Sequence, residues 1–157
     1  MPSILFICTA NQIRSPFAAA YFEKLLGEHK AADKDSWQVA SAGTWADPGL
    51  PADFQLKNFA QNWGLNFHSH RTRQVEKNLL DSQDLVLAME KGQREALIYE
   101  FPQNAEKIKL LTDFCGPAYD IDDPQGLGIQ QYEKCLEEIA RVLSSAFIEI
   151  TRAATNN

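Results

Sequence analysis

Residues Ser3 to Cys8, SILFIC, form a nearly unbroken apolar run of a length that suits one β-strand. A strand apolar on both faces must be covered on both faces, which is the environment of a parallel sheet with helices on either side. The run is too short to span a membrane and has no Lys or Arg before it, so neither a membrane helix nor a secretion signal fits.

The residues after the run extend the pattern. Ser15 is placed to cap a helix and Pro16 to take its first position; Phe17, Ala20, Tyr21, Lys24 and Leu25 then keep helical spacing as far as Gly27. Trp37 to Ala40 reads as a second strand, and Pro51 to Trp63 as a helix stopped by Gly64. Asp84 to Met89, DLVLAM, is a third buried strand, Lys91 to Tyr99 a helix, and Ile108 to Leu111 a short fourth strand. A long loop with Gly116, Pro117 and Pro124 leads to a final helix carrying Ile129, Tyr132, Leu136, Ile139, Leu143 and Phe147 on one face. This alternation predicts the α/β class: a three-layer α/β/α domain on a four-stranded parallel sheet with flavodoxin-like topology. At 157 residues, 45% of them hydrophobic, the chain suits one such domain over 1–157, with a polar tail at 153–157 expected to fray.

Ligands of such folds bind beyond the carboxyl ends of the strands, and Cys8 stands at one of those ends. Between a strand and a helix, the backbone N–H groups of Thr9, Ala10, Asn11, Gln12 and Ile13 can converge into an anion-binding nest reinforced by the helix dipole. Cys8 at its base feels the same positive potential, which favours a nucleophilic thiolate. Arg14 at the rim offers a planar fork for two phosphoryl oxygens. Alone, Cys8 reads as a small buried hydrophobe and Arg14 as a solvated charge. With Ser15 and Pro16 in one strand-loop-helix, they read as a phosphate site.

The formal net charge of −6 argues against a broad nucleic-acid footprint or attachment to an anionic membrane, so an anionic substrate needs a small dedicated site. Cys8, Cys115 and Cys135 are odd in number and widely spaced, with no zinc-ligand pattern. They point to a reducing, cytoplasmic setting, with neither metal nor other cofactor required.

The motif C-x5-R-S-P after an N-terminal strand resembles the low-molecular-weight protein tyrosine phosphatase family. SAGT at Ser41 to Thr44, HRTRQ at His70 to Gln74, DLVLAM at Asp84 to Met89, and Asp123-Pro124 before the last helix follow that family's order over nearly the whole chain. The resemblance implies hydrolysis of phosphotyrosine in a phosphorylated protein substrate, with Cys8 as nucleophile and a phosphocysteine intermediate. It implies Asp123 as general acid and then base, Arg14 and the loop N–H groups holding the phosphate, and the Ser15 hydroxyl supporting the sulfur as leaving group. Asn11, in a left-handed conformation, and His70 match a pair that braces the loop. Asp122 is a rival to Asp123, and His68 to His70. Trp45 fits either an aromatic wall of the pocket or an exposed surface position.

Several letters depart from the family's usual C-x-G-N-x-C-R-S. Ala10 replaces a glycine, which is harmless at negative φ and costs roughly 1 to 2 kcal/mol in a left-handed conformation. Ile13 replaces a cysteine that in relatives can trap the oxidised nucleophile. Gln12 stands where tyrosine phosphatases carry an aliphatic residue and related arginine phosphatases a threonine. Gln125 stands where many relatives place an aromatic that stacks on the substrate ring. These departures keep two alternatives open: a protein arginine phosphatase and a phosphate-binding pseudoenzyme. Arsenate reduction on the same fold needs resolving cysteines, and the segment Glu90 to Phe101 contains none.

Overall fold

The computed structural model describes residues 1–29 and 33–156. Its centre is a four-stranded, all-parallel sheet of β1 (Ser3–Cys8), β2 (Gln38–Gly43), β3 (Leu85–Ala88) and β4 (Ile108–Leu110), in the order β2-β1-β3-β4. Helices cover both faces, as the doubly apolar SILFIC run requires: all of its residues are buried. Alternation along β1 sends Ile4, Phe6 and Cys8 to one core and Leu5 and Ile7 to the other. The first core is closed by α1 (Arg14–Glu28) and α5 (Ile129–Thr155). The second is closed by α4 (Lys91–Glu100), through Leu97, and by Leu80 of the short α3 (Lys77–Asp81). This is the three-layer α/β/α arrangement in flavodoxin-like order. The chain leaves β1 in one direction for β2 and later crosses to the opposite side for β3. A crevice therefore opens between the carboxyl ends of β1 and β3, the place where such sheets bind ligands.

Local departures from expectation have physical causes. Helix α1 begins at Arg14, with Ile13 at the cap position and no side-chain cap, so Ser15 lies inside the first turn and Pro16 follows it rather than opening the helix. The serine hydroxyl is engaged elsewhere, and the proline is tolerated because N–H groups in a first turn have no intrahelical partner. The second strand runs to Gly43 because Ser41, Ala42 and Gly43 pair with Phe6, Ile7 and Cys8. The second helix, α2 (Phe54–Phe59), starts later than Pro51 because the Asp53 side chain caps it by accepting from Gln55 N–H. A 3-10 segment, Ala60–Trp63, continues it to Gly64, whose φ of 67° ends it. On α5 the expected face is buried from Tyr132 to Phe147, but Ile129 is 60% exposed in the first turn. The tail expected to fray at 153 is helical through Thr155, with Ala154 buried; Asn157 lies outside the described residues.

Gly43 shows how tightly β2 meets the loop after β1. A Cβ there would overlap the Thr9 carbonyl oxygen and lie 2.9 Å from Ala46 Cβ. The obstacle is backbone, so it cannot swing aside. Gly43→Ala is expected to destabilise the protein by about 1 to 3 kcal/mol, read from its urea midpoint, and to weaken binding of inorganic phosphate. Wild-type stability and phosphate affinity would contradict this placement.

Candidate active site

The loop from Cys8 to Arg14 is fixed at both edges by hydrogen bonds to its neighbours. Thr44 N–H donates to the Cys8 carbonyl, Trp45 N–H to the Thr9 carbonyl, and Asp53 N–H to the Gln12 carbonyl. With the carbonyls turned outward to these partners, the loop's own N–H groups are left for the concave side. Asn11 is the one non-glycine residue at positive φ, 60°, among the described residues. Ala10 therefore escapes the left-handed strain a glycine would relieve there.

Asn11 is fully buried and ties the loop to its neighbours. Its Nδ2 donates to Ser15 Oγ (2.9 Å) and Ser41 Oγ (2.9 Å), its Oδ1 accepts from Arg73 N–H (3.0 Å), and its carbonyl lies 2.8 Å from His70 Nε2. A carbonyl only accepts, so His70 must carry its proton on Nε2. His68 makes no such contact; its N–H donates to Asn66. Burial pulls the His70 pKa down, against the Asn11 hydrogen bond, which raises it; nearby Arg71 lowers it further. Unfolded His70, with its ordinary value near 6.5, then takes up a proton that the folded form resists. Its contribution to stability is present above that pH and is lost as pH falls toward the depressed folded value. Stability should drop from pH 7.5 to 5.5 by more in wild type than in His70→Gln, measured by urea unfolding. Parallel pH profiles would contradict it.

Ser15 Oγ lies 3.0 Å from Cys8 Sγ, with both side chains buried. Because Asn11 already donates to that oxygen, the serine proton can go to the sulfur or to the Ala42 carbonyl at 3.4 Å. A thiolate takes it; a thiol instead donates to Ser15 and releases the serine proton toward Ala42. The hydroxyl that the local pattern reads as a helix cap, and the family resemblance as a partner of the sulfur, is thus placed to donate to Cys8.

Arg14 is 2% exposed, and its Nη1 donates to Glu90 Oε2 (2.8 Å) and to the Ile121 carbonyl (2.6 Å). Burial pulls its pKa down, but Cys8, Glu90 and Asp123 outweigh that and the net displacement is upward, so it stays a cation. Both bonds use one nitrogen, which anchors the guanidinium and leaves Nε and Nη2 for an anion.

Cys8, Ala10, Gln12, Ile13, Arg14, Asp123 and Gln125 line one cleft. Asp123 Oδ1 accepts from Gln125 N–H in a tight turn, which leaves its second oxygen for proton transfer. Asp122 lies outside this lining and gathers with Glu90 and Asp120, carboxylate oxygens within 4.8 Å of one another. The wall reading of Trp45 fails: it is 84% exposed and does not line the cleft. Cys135 donates S–H to the Asp122 carbonyl, and burial pushes its pKa up to about 12, so it is a structural thiol.

Residues 3–156 match the family described as low molecular weight phosphotyrosine protein phosphatase. The chain belongs to that family. Among curated relatives, a protein-arginine-phosphatase of Geobacillus stearothermophilus is 33% identical over 89% of this chain and 90% of its own. A low molecular weight phosphotyrosine protein phosphatase of Gallus gallus is 31% identical over 94% of each. Among solved structures, a cysteine-to-serine mutant of the YwlE arginine phosphatase with a phosphorylated active site serine superposes at a TM-score of 0.82, with 28% identity and 90% coverage of each chain. Phosphatases of this family are hydrolases, and the chain is one by membership.

Three contributors to this phosphatase's site escaped the sequence reading: Ser41, Glu90 and Asp53. Glu90 follows DLVLAM directly, and its position at the carboxyl end of a switch-point strand was the available signal. Asp53 carries the Gln12 contact through its backbone and accepts from the buried Tyr132 hydroxyl at 2.8 Å, a pairing no local pattern announces.

Proposed function

We propose that the protein is a cysteine-dependent phosphatase that hydrolyses phosphotyrosine in proteins through a phosphocysteine on Cys8. One observation carries the reading: Cys8, Arg14 and Asp123 line a single cleft, with the Ser15 hydroxyl 3.0 Å from the sulfur. In the first step the Cys8 thiolate forms an S–P bond as the P–O bond to the leaving group breaks. Protonated Asp123 gives its proton to the departing oxygen. In the second step water attacks phosphorus, Asp123 takes a water proton, and the S–P bond breaks to return the thiolate, which Ser15 O–H stabilises. Arg14 and the loop N–H groups hold the three equatorial oxygens throughout, so positioning and charge stabilisation carry most of the catalysis. The chain supplies every group these steps need. A phosphoprotein is the partner, and a reducing cytoplasm suits a catalytic thiol.

Phosphoarginine is the second reading, favoured by the lining itself. Among the described residues no aromatic ring lines the cleft, which carries Gln12 and Gln125 instead, and one of the relatives above is an arginine phosphatase. Rates on matched phosphotyrosine and phosphoarginine peptides decide. Faster turnover of phosphotyrosine is expected; faster turnover of phosphoarginine would replace the first reading with the second. Cleavage of neither, with intact phosphate binding, would leave the protein a phosphate-binding module.

A further inference from the structure

The Arg14 anchor leads to a buried side chain that none of the steps above uses. Gln93, on the first turn of α4, is 6% exposed, and both ends of its amide are doubly engaged. Its Oε1 accepts from the backbone N–H groups of Met89 (3.1 Å) and Glu90 (3.0 Å), at the carboxyl end of β3. Its Nε2 donates to Glu90 Oε2 (2.9 Å) and to Thr9 Oγ1 (3.0 Å). The same Glu90 oxygen receives Arg14 Nη1. One amide therefore spans the crevice between β1 and β3, touching the second residue of the phosphate loop on one side and the carboxylate that anchors the arginine on the other.

We propose that Gln93 is a positioning residue that sets the Arg14 fork and the start of the loop in the geometry of phosphoryl transfer. It acts through Glu90 and Thr9 and does not itself meet the substrate. The chemistry requires an amide. Two acceptor bonds and two donor bonds are made from one planar group, and of the side chains with this reach only glutamine offers both. A Glu at the position would keep the acceptor bonds to Met89 and Glu90 N–H but would set a carboxylate against the Glu90 carboxylate. Glu90 would turn away, and Arg14 would lose the partner that fixes its plane. An arginine loosened in this way still attracts a phosphate dianion by charge. It no longer presents its fork to the equatorial oxygens of a trigonal-bipyramidal phosphorus, so the loss falls on the transition state rather than on ground-state binding.

This inference rests on the phosphatase reading, and its test is separable from it. Purified Gln93→Glu and Gln93→Met are compared with wild type for binding of vanadate, which adopts the transition-state geometry, for binding of inorganic phosphate, and for aryl phosphate turnover. In both variants we expect vanadate affinity and kcat to fall roughly 10- to 100-fold, with phosphate affinity and KM changed less than about threefold. In Gln93→Glu the deficit relative to wild type should shrink as pH is lowered, because a protonated Glu regains a donor; in Gln93→Met it should stay flat. Vanadate affinity within twofold of wild type in both variants would overturn the proposal. So would equal, pH-independent losses of vanadate and phosphate binding, which mark lost packing. The binding arms need no turnover, so a wild type that hydrolyses nothing would count against the phosphatase reading alone.

Discussion

Cys8→Ser is expected to reduce hydrolysis of an aryl phosphate by about 10⁴-fold or more while leaving the fold and the binding of inorganic phosphate in place. The magnitude follows from removing a nucleophile whose partners act as one unit with it, as in other covalent catalysts. Serine is close to isosteric and can keep the Ser15 contact, but its hydroxyl has no neighbouring base to take its proton. The cradle of N–H groups and Arg14 is untouched, so phosphate should bind with wild-type affinity. The decisive comparison pairs steady-state rates with phosphate titration of both proteins. Retained turnover in Cys8→Ser would remove Cys8 from the chemistry, whereas loss of both turnover and phosphate binding would mean that the loop had collapsed.

Arg14→Lys is the second large effect, because a cation is retained and only its shape is changed. The guanidinium makes two anchoring bonds through Nη1, to Glu90 and the Ile121 carbonyl, and keeps a planar edge for the substrate. An ammonium is a point charge that cannot hold Glu90 behind it and two phosphoryl oxygens in front of it in one plane. The expected loss in kcat is about 10²- to 10³-fold, the scale of removing one preorganised donor from a developing oxyanion, with a smaller change in KM. Stability should fall as well, since the buried Ile121 carbonyl loses a short charge-assisted bond. A lysine variant with near wild-type kcat would show that charge alone suffices and that the fork is dispensable.

What the sequence made legible was whatever repeats locally or sits within one segment. SILFIC and DLVLAM disclosed buried parallel strands because a doubly apolar run has few other homes, and strand-helix alternation then gave the sheet. Cys8 and Arg14 were legible because the loop between strand and helix brings them together whatever the rest of the chain does. Ser15 was misread as a cap, since capping is the usual reason for a serine before a helical proline. Its contact with the sulfur was reached through the family resemblance alone, and the placement of Asn11 and Cys8 supplies the geometry. Glu90 and Gln93 were missed because their contacts depend on β3 lying beside β1, a pairing across half the chain that no short pattern encodes. Trp45 failed differently: an aromatic after a strand is consistent with wall and surface alike, and only its exposure separates them.

The central claim is that Cys8 carries the phosphoryl group between two steps and Asp123 serves both. With a good leaving group such as p-nitrophenolate, the first step proceeds without a general acid, while the second still needs a base to activate water. Asp123→Ala treated with p-nitrophenyl phosphate and acid-quenched should therefore accumulate one phosphoryl group, located by mass spectrometry of the peptide containing Cys8. A phosphorylated Cys8 peptide, absent when Cys8→Ala is combined with Asp123→Ala under the same conditions, is the result this mechanism predicts. Undiminished steady turnover by Asp123→Ala with no phosphate on Cys8 would contradict it.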